Sequence, residues 1–181
     1  LDSRMQQYAQ EAVQEHMSNL QSYFFKEQKR NKTAPFYDLE DEQIESIYNR
    51  ARKNSERYKK MKKDQYSDQE IDSAFNAKTD MRVFSWNSNR EVDTILSPND
   101  SIKYYKSFLR SGLLSIEPQT GHIKAWVGGI NHKYFKYDHV EQGKRQVGST
   151  FKPFLYATAI NQLRLSPCDK YPNTPYTIPK G

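Results

Sequence analysis

The 181-residue sequence holds one cysteine, Cys168, so no disulfide can close within it and the redox compartment leaves no mark. A buried or half-buried thiol is expected there. No apolar run approaches the roughly 18 residues that a membrane-spanning helix needs, and the chain does not open on a signal-peptide pattern. Neither absence argues for the cytosol. His122, His132 and His139 share no zinc-ligand spacing with Cys168, so a metal site is not expected. Lys133, Tyr134, Phe135, Lys136 and Tyr137 interleave basic and aromatic side chains, but no nucleic-acid recognition motif accompanies them. A loop packed by its own aromatics is the plainer account.

What the chain has in quantity is charge. Charged residues make up 28% and hydrophobic residues 35%, with most of the charge in the first half and most of the apolar runs in the second. The net charge of +6 does not by itself call for nucleic acid, because bases and acids mix along Glu56-Arg57-Tyr58-Lys59-Lys60-Met61-Lys62-Lys63-Asp64 as on a solvated helix face. An anionic envelope polymer or membrane surface is the milder alternative.

Taken in order, Ser3-Arg4-Met5-Gln6 has the form of a capping box, and Met5, Ala9, Ala12, Val13, Met17, Leu20 and Phe24 recur at helical spacing. Ala34-Pro35 breaks that helix. Asp38 is placed to cap a second helix with Ile44, Ile47, Tyr48 and Ala51 on one face; Asn54-Ser55 interrupts it, and Ser67-Asp68-Gln69-Glu70 opens a third helix through Ile71, Ala74 and Phe75. This stretch, about 26–78, is highly charged and its thin apolar stripe needs a partner surface. Met81 to Trp86 and Arg90 to Leu96 alternate as a strand pair across Asn87-Ser88-Asn89. Ser97-Pro98-Asn99-Asp100 starts a helix that buries Ile102, Tyr105, Phe108 and Leu109 and ends at Gly112. A second hairpin joins Leu113–Glu117 to His122–Val127, with Trp126 packing on a sheet face and Gly128-Gly129 permitting a close approach of backbone or ligand. Prolines at 167, 172, 175 and 179 make the end of the chain loop or edge-like.

Between hairpin and tail lies Gly148-Ser149-Thr150-Phe151-Lys152-Pro153, followed by the apolar run Phe154 to Ile160, which reads as a buried helix. Ser149 is the only serine with a lysine three residues later. At that spacing Ser149 Oγ and Lys152 Nζ project from one helix face, and an amine held in an apolar site sheds its charge more readily and can accept the hydroxyl proton. The helix N-terminus adds N–H groups and partial positive charge where an oxyanion would form. Ser149 and Lys152 are therefore the candidate catalytic pair of a serine acyltransferase. The alternative is a serine that only caps its helix.

Arg145-Gln146-Val147-Gly148-Ser149-Thr150-Phe151-Lys152-Pro153 resembles the nucleophile box of penicillin-binding proteins, whose superfamily carries Ser-x-x-Lys. Gly112 to Gly129 resembles the hairpin that opens the transpeptidase domain of the class A members, and Leu1-Asp2-Ser3-Arg4-Met5-Gln6 resembles their segment after the glycosyltransferase domain. The resemblance implies an α+β fold, an antiparallel sheet flanked by helices as in the penicillin-binding and β-lactamase-like transpeptidases, here partial and preceded by a charged helical insertion. It divides the chain into an interdomain linker region, 1–111, holding the insertion, and the N-terminal part of a transpeptidase domain, 112–181. The chain is expected to be an internal piece of a bifunctional cell-wall synthase on the outer face of the cytoplasmic membrane, anchored by a segment outside it. Ser149 would attack the penultimate D-alanine carbonyl of a peptidoglycan stem peptide or a β-lactam, with Lys152 as base and no cofactor or metal. The family's Ser-x-Asn and Lys-Thr-Gly elements do not occur after Lys152, so activity of the piece by itself is not expected. The insertion is the candidate surface for envelope protein partners. The alternatives are a non-catalytic docking module and a penicillin-sensing or β-lactamase relative.

Overall fold

A computed structural model describes residues 1–170, 172–175 and 177, so Pro179 lies outside the described residues. The chain forms two compact units, 1–143 and 144–181. Both helices and small antiparallel sheets are present, so the fold is α+β.

The first unit is built on helix α1, Ser3–Gln28. Its N-cap is Asp2, not the expected Ser3: the Asp2 carboxylate accepts from the N–H groups of Arg4 and Met5. Gln6 is thereby released from the expected capping box and reaches a strand. The buried stripe runs Ala9, Val13, Met17 and Gln21 at a spacing of four, while Met5 and Leu20 from the expected apolar face are exposed.

After Ala34-Pro35 come α2 (Asp41–Asn54), α3 (Glu56–Lys63) and α4 (Asp68–Asn76). Glu40, not Asp38, precedes α2, and the Gln43 side chain accepts from the Glu40 N–H at 3.0 Å; Asp38 instead adopts φ 58 in the left-handed region. Ser55 separates α2 from α3 at the expected interruption, and its side chain also caps α3 by accepting from the Tyr58 N–H. Ser67 and Glu70 close a reciprocal capping box on α4, whose Ile71 and Phe75 are buried.

Strands β1 (Thr79–Phe84) and β2 (Glu91–Leu96) pair antiparallel across the expected turn, with Val83 opposite Val92. Helix α5, Pro98–Lys106, starts as expected, with Ser97 as cap and Pro98 in the first turn. It stops at Lys106 rather than running to Gly112, because Ser107 to Gly112 turns away to lead into β3. Gly112 serves a different purpose: a Cβ there would lie 2.9 Å from Val140 Cγ2. Strands β3 (Leu113–Ile116) and β4 (Ile123–Val127) form the second hairpin, with a register shift between Ser115 and Ile116.

Phe84, 0% exposed, is the centre of the core. Phe108 and Phe135 meet its ring edge-on at centroid distances of 5.2 Å, and two tyrosines hold its backbone: Phe84 N–H donates to Tyr105 Oη, and Tyr104 Oη donates to the Phe84 carbonyl at 2.7 Å. Ala9, Val13 and Met17 of α1 share this core with Ala125 and Val127 of β4. The second hairpin thus packs on α1 within the first compact unit.

The second unit contains one 3-10 turn, Gly148–Phe151, which runs into helix α6, Lys152–Leu163. The apolar run expected to be buried is helical, but no residue of α6 is buried and Phe154 is 68% exposed. Among the described residues of this short unit there is no second layer to cover an apolar helix. Cys168 is likewise exposed, contrary to the expected buried thiol, since it sits in a turn after α6.

Candidate functional site

Gly148 enters the Ser149 turn with φ 50, a left-handed conformation that disfavours a side chain even though a Cβ there would meet nothing within 4 Å. Ser149 then lies inside the 3-10 turn and is not the N-cap of α6; that position falls on Phe151, which makes no side-chain cap. The Lys152 backbone N–H donates to the Ser149 carbonyl, so one tight turn separates the two. In a 3-10 helix residues three apart eclipse, which puts both side chains on one face. Both are exposed, and among the described residues no hydrogen bond joins Ser149 Oγ to Lys152 Nζ. Among the described residues of this unit nothing encloses the turn, so the burial expected around the amine is not found there.

A second constellation lies in the first unit. The backbone of Trp126 in β4 is gripped by the Gln6 side chain, whose Nε2 donates to the Trp126 carbonyl at 2.9 Å and whose Oε1 accepts from its N–H at 2.8 Å. The Trp126 indole N–H donates to Asp138 Oδ2 at 2.8 Å, and Asp138 Oδ1 accepts from the N–H groups of Val140 and Glu141. The indole hydrogen bond, helped by the two backbone N–H groups, holds the Asp138 carboxyl below the usual aspartate range. Gly128 makes room for it, since a Cβ there would fall 2.6 Å from the Asp138 carboxylate. The close approach expected at Gly128 is thus by a side chain of the protein's own loop.

Next to this clamp opens a cavity of about 420 Å³ whose lining includes Gln10, Arg90, Trp126, His132 and Lys136. It contains no serine, cysteine or threonine nucleophile, and no group of three or more metal-binding side chains gathers among the described residues. The clamp fixes the loop after β4; the candidate chemistry remains at Ser149.

A family profile described as the penicillin-binding protein middle domain matches residues 31–109. It takes in α2 to α5 and the first hairpin, so most of the charged stretch expected to be an insertion without a family counterpart has one. Among curated relatives, penicillin-binding protein 1A of Pseudomonas aeruginosa is 42% identical over 52 residues, covering 29% of this chain and 6% of that protein. The Escherichia coli K12 penicillin-binding protein 1A is 44% identical over 54 residues, covering 30% of this chain and 6% of that one, and the Vibrio cholerae protein is 38% identical over 52. The matched stretch therefore spans only 6% of the length of these relatives. No solved structure matches.

Proposed function

Because this chain belongs to the class A penicillin-binding proteins, we infer that it carries the nucleophile segment of a serine D,D-transpeptidase, with Ser149 as nucleophile and Lys152 as its base. The observation that carries this is the turn itself: a left-handed Gly148, then Ser149 and Lys152 linked by one backbone hydrogen bond at the head of an apolar 12-residue helix. In the parent protein, the apolar α6 would be covered by further transpeptidase strands, and Lys152 would be desolvated enough to accept a proton.

Ser149 Oγ then attacks the penultimate D-alanine carbonyl of a stem peptide as its proton passes to Lys152 Nζ. The negative charge on the tetrahedral oxygen is met by the Ser149 backbone N–H at the helix start and by a donor from elsewhere in the protein. Collapse breaks the peptide bond, Lys152 returns the proton to the departing D-alanine amine, and a second stem's amine takes the acyl group from Ser149. A β-lactam would follow the first half and remain as an ester. Residues 1–111 would link this domain to an upstream glycosyltransferase, and the parent would work on the outer face of the cytoplasmic membrane. Among the described residues no helix is long and apolar enough to cross that membrane.

Labelling of the full-length protein with a fluorescent penicillin tests the assignment. Ser149→Ala should abolish the label, and Lys152→Ala should slow it by at least about a hundredfold, as expected for a lost general base. Undiminished labelling of Ser149→Ala would overturn the Ser149 assignment, whereas absence of label from the unmodified protein would favour the docking-module reading.

A further inference from the structure

The stretch from Arg50 to Lys63 holds eight basic residues and one acid, Glu56, a net of +7 in a chain whose total is +6. All of the chain's positive excess therefore sits on the end of α2 and on α3. A merely solvated helix face would disperse its bases among acids, as the sequence suggests until the partners are known. Two nearby acids are already engaged: Asp72 pairs with Arg52, which is held against the Phe75 ring, and Asp68 pairs with Lys62 at 2.6 Å. Lys59 has only the exposed Glu56, at 3.5 Å. Among the described residues no ion pair reaches Arg50, Lys53, Arg57, Lys60 or Lys63, and all five are exposed.

Helix geometry sorts the rest. Tyr58 and Met61, the apolar residues of α3, are half-buried, and Tyr58 meets Phe75 of α4 edge-on at 6.2 Å. The exposed side of α3 carries Arg57, Lys59, Lys60 and Lys63 with the single acid Glu56 among them, and Arg50 and Lys53 are exposed at the end of α2 beside Glu42 and Glu45. Cations in a last helical turn do stabilise the helix dipole, which accounts for Lys53 in α2 and for Lys60 and Lys63 in α3, but not for Arg57 at the start of α3. Tyr66, 46% exposed, follows at the end of the same helix and has the amphipathic ring that favours a headgroup layer.

We propose that this face, Arg50, Lys53, Arg57, Lys60 and Lys63, docks on an anionic phospholipid surface. Charge complementarity is the reason: the stretch offers eight long flexible cations to one acid, and among the described residues the groove beside Arg50 and Lys53 is lined by polar side chains alone, Glu42 and Glu45 included. Clusters of this size on a helix attract anionic headgroups, each cation near the surface adding roughly fivefold to the partitioning, and the attraction fades within a Debye length of about 10 Å at moderate salt. This holds whether or not Ser149 is a nucleophile.

Flotation of the 181-residue chain with vesicles tests it. Binding is expected to vesicles of equal parts phosphatidylcholine and phosphatidylglycerol, to be absent with phosphatidylcholine alone, and to weaken steeply as salt is raised. Replacing Lys53, Arg57, Lys60 and Lys63 with Gln should reduce binding by roughly fivefold per charge, with the same substitutions made in pairs should the fourfold variant fold poorly. A Lys29→Gln, Arg30→Gln variant should bind as the unmodified chain does. Equal binding to both vesicle types, indifference to the Gln substitutions, or binding of soluble polyphosphate without binding of the anionic vesicles would overturn the proposal.

Discussion

Gln6 and Trp126, 120 residues apart, form a closed pair in which one side-chain amide satisfies both the N–H and the carbonyl of one strand residue. The Asp2 N–H donates to the Lys124 carbonyl at 2.8 Å just before it, so the start of α1 continues along the open edge of β4 as a substitute strand. Edge strands with unpaired groups invite foreign pairing, and here the chain's own first turn occupies the position.

Replacing Gln6 by Met keeps the length and removes both partners. The stranded strand groups should cost about 1–3 kcal/mol in urea unfolding. Gln6→Glu keeps the acceptor for the Trp126 N–H but sets a carboxylate against its carbonyl, and should be at least as destabilising. A Met variant as stable as the original would show that water satisfies the edge equally well.

Gln21 is a second buried amide, 1% exposed on the α1 stripe. Its Nε2 donates to the Ser107 carbonyl at 2.9 Å and its Oε1 accepts from the Leu109 N–H at 2.8 Å, which fastens the end of α5 to α1. Gln21→Leu fits the hydrophobic pattern yet leaves two backbone groups unpaired, so it should lose about 1–3 kcal/mol for each. Hydrogen exchange of the Leu109 amide is the local readout; unchanged protection in the Leu variant would count against the fastening role.

The Asp138 clamp predicts an acid limb. Its carboxyl lies below the ordinary aspartate value of 3.8 in the folded chain, held there first by the Trp126 indole. A depressed folded value means that the stabilisation is fully present above the unfolded value and disappears as pH falls through the folded one. Tryptophan fluorescence should therefore change as pH drops below about 4, and Asp138→Asn should flatten that part of the titration. An identical acid profile for the Asn variant would assign the transition to other carboxylates.

The contrast between capping and burial explains what the sequence disclosed. Ser67 and Ser97 cap where expected because a cap depends on three or four adjacent residues. The Asn87–Asn89 turn was legible for the same reason. Asp2 displaced Ser3 only because Gln6 had a distant use at Trp126, which no local pattern contains. Gln21 was unreadable because a polar residue on an apolar stripe signals exposure until its two backbone partners, in another element, are known. At the candidate site, the Ser149–Lys152 spacing was legible and the tight turn agrees with it, whereas the burial of α6 was inferred from apolarity alone. An apolar helix is buried only if another layer exists to cover it.

That missing layer bears on the 181-residue chain as a catalyst. A serine acylation site needs a nucleophile with its base, a second proton-handling group, and an oxyanion hole beside a strand on which the substrate lies. Here Ser149 and Lys152 stand on an exposed turn, and no Ser-x-Asn or Lys-Thr-Gly element follows them in the sequence. Losing a single oxyanion donor can slow acyl transfer by about 100- to 1,000-fold. Apolar surface is also left open, on α6 and on the face of the second hairpin that carries Ile116, 48% exposed. Exposed apolar surface of this kind favours association between copies. The chain alone is therefore expected to self-associate in sedimentation and to show no stoichiometric adduct by mass spectrometry after prolonged incubation with penicillin. A full acyl adduct on Ser149 would mean that the turn and its lysine suffice without the covering strands.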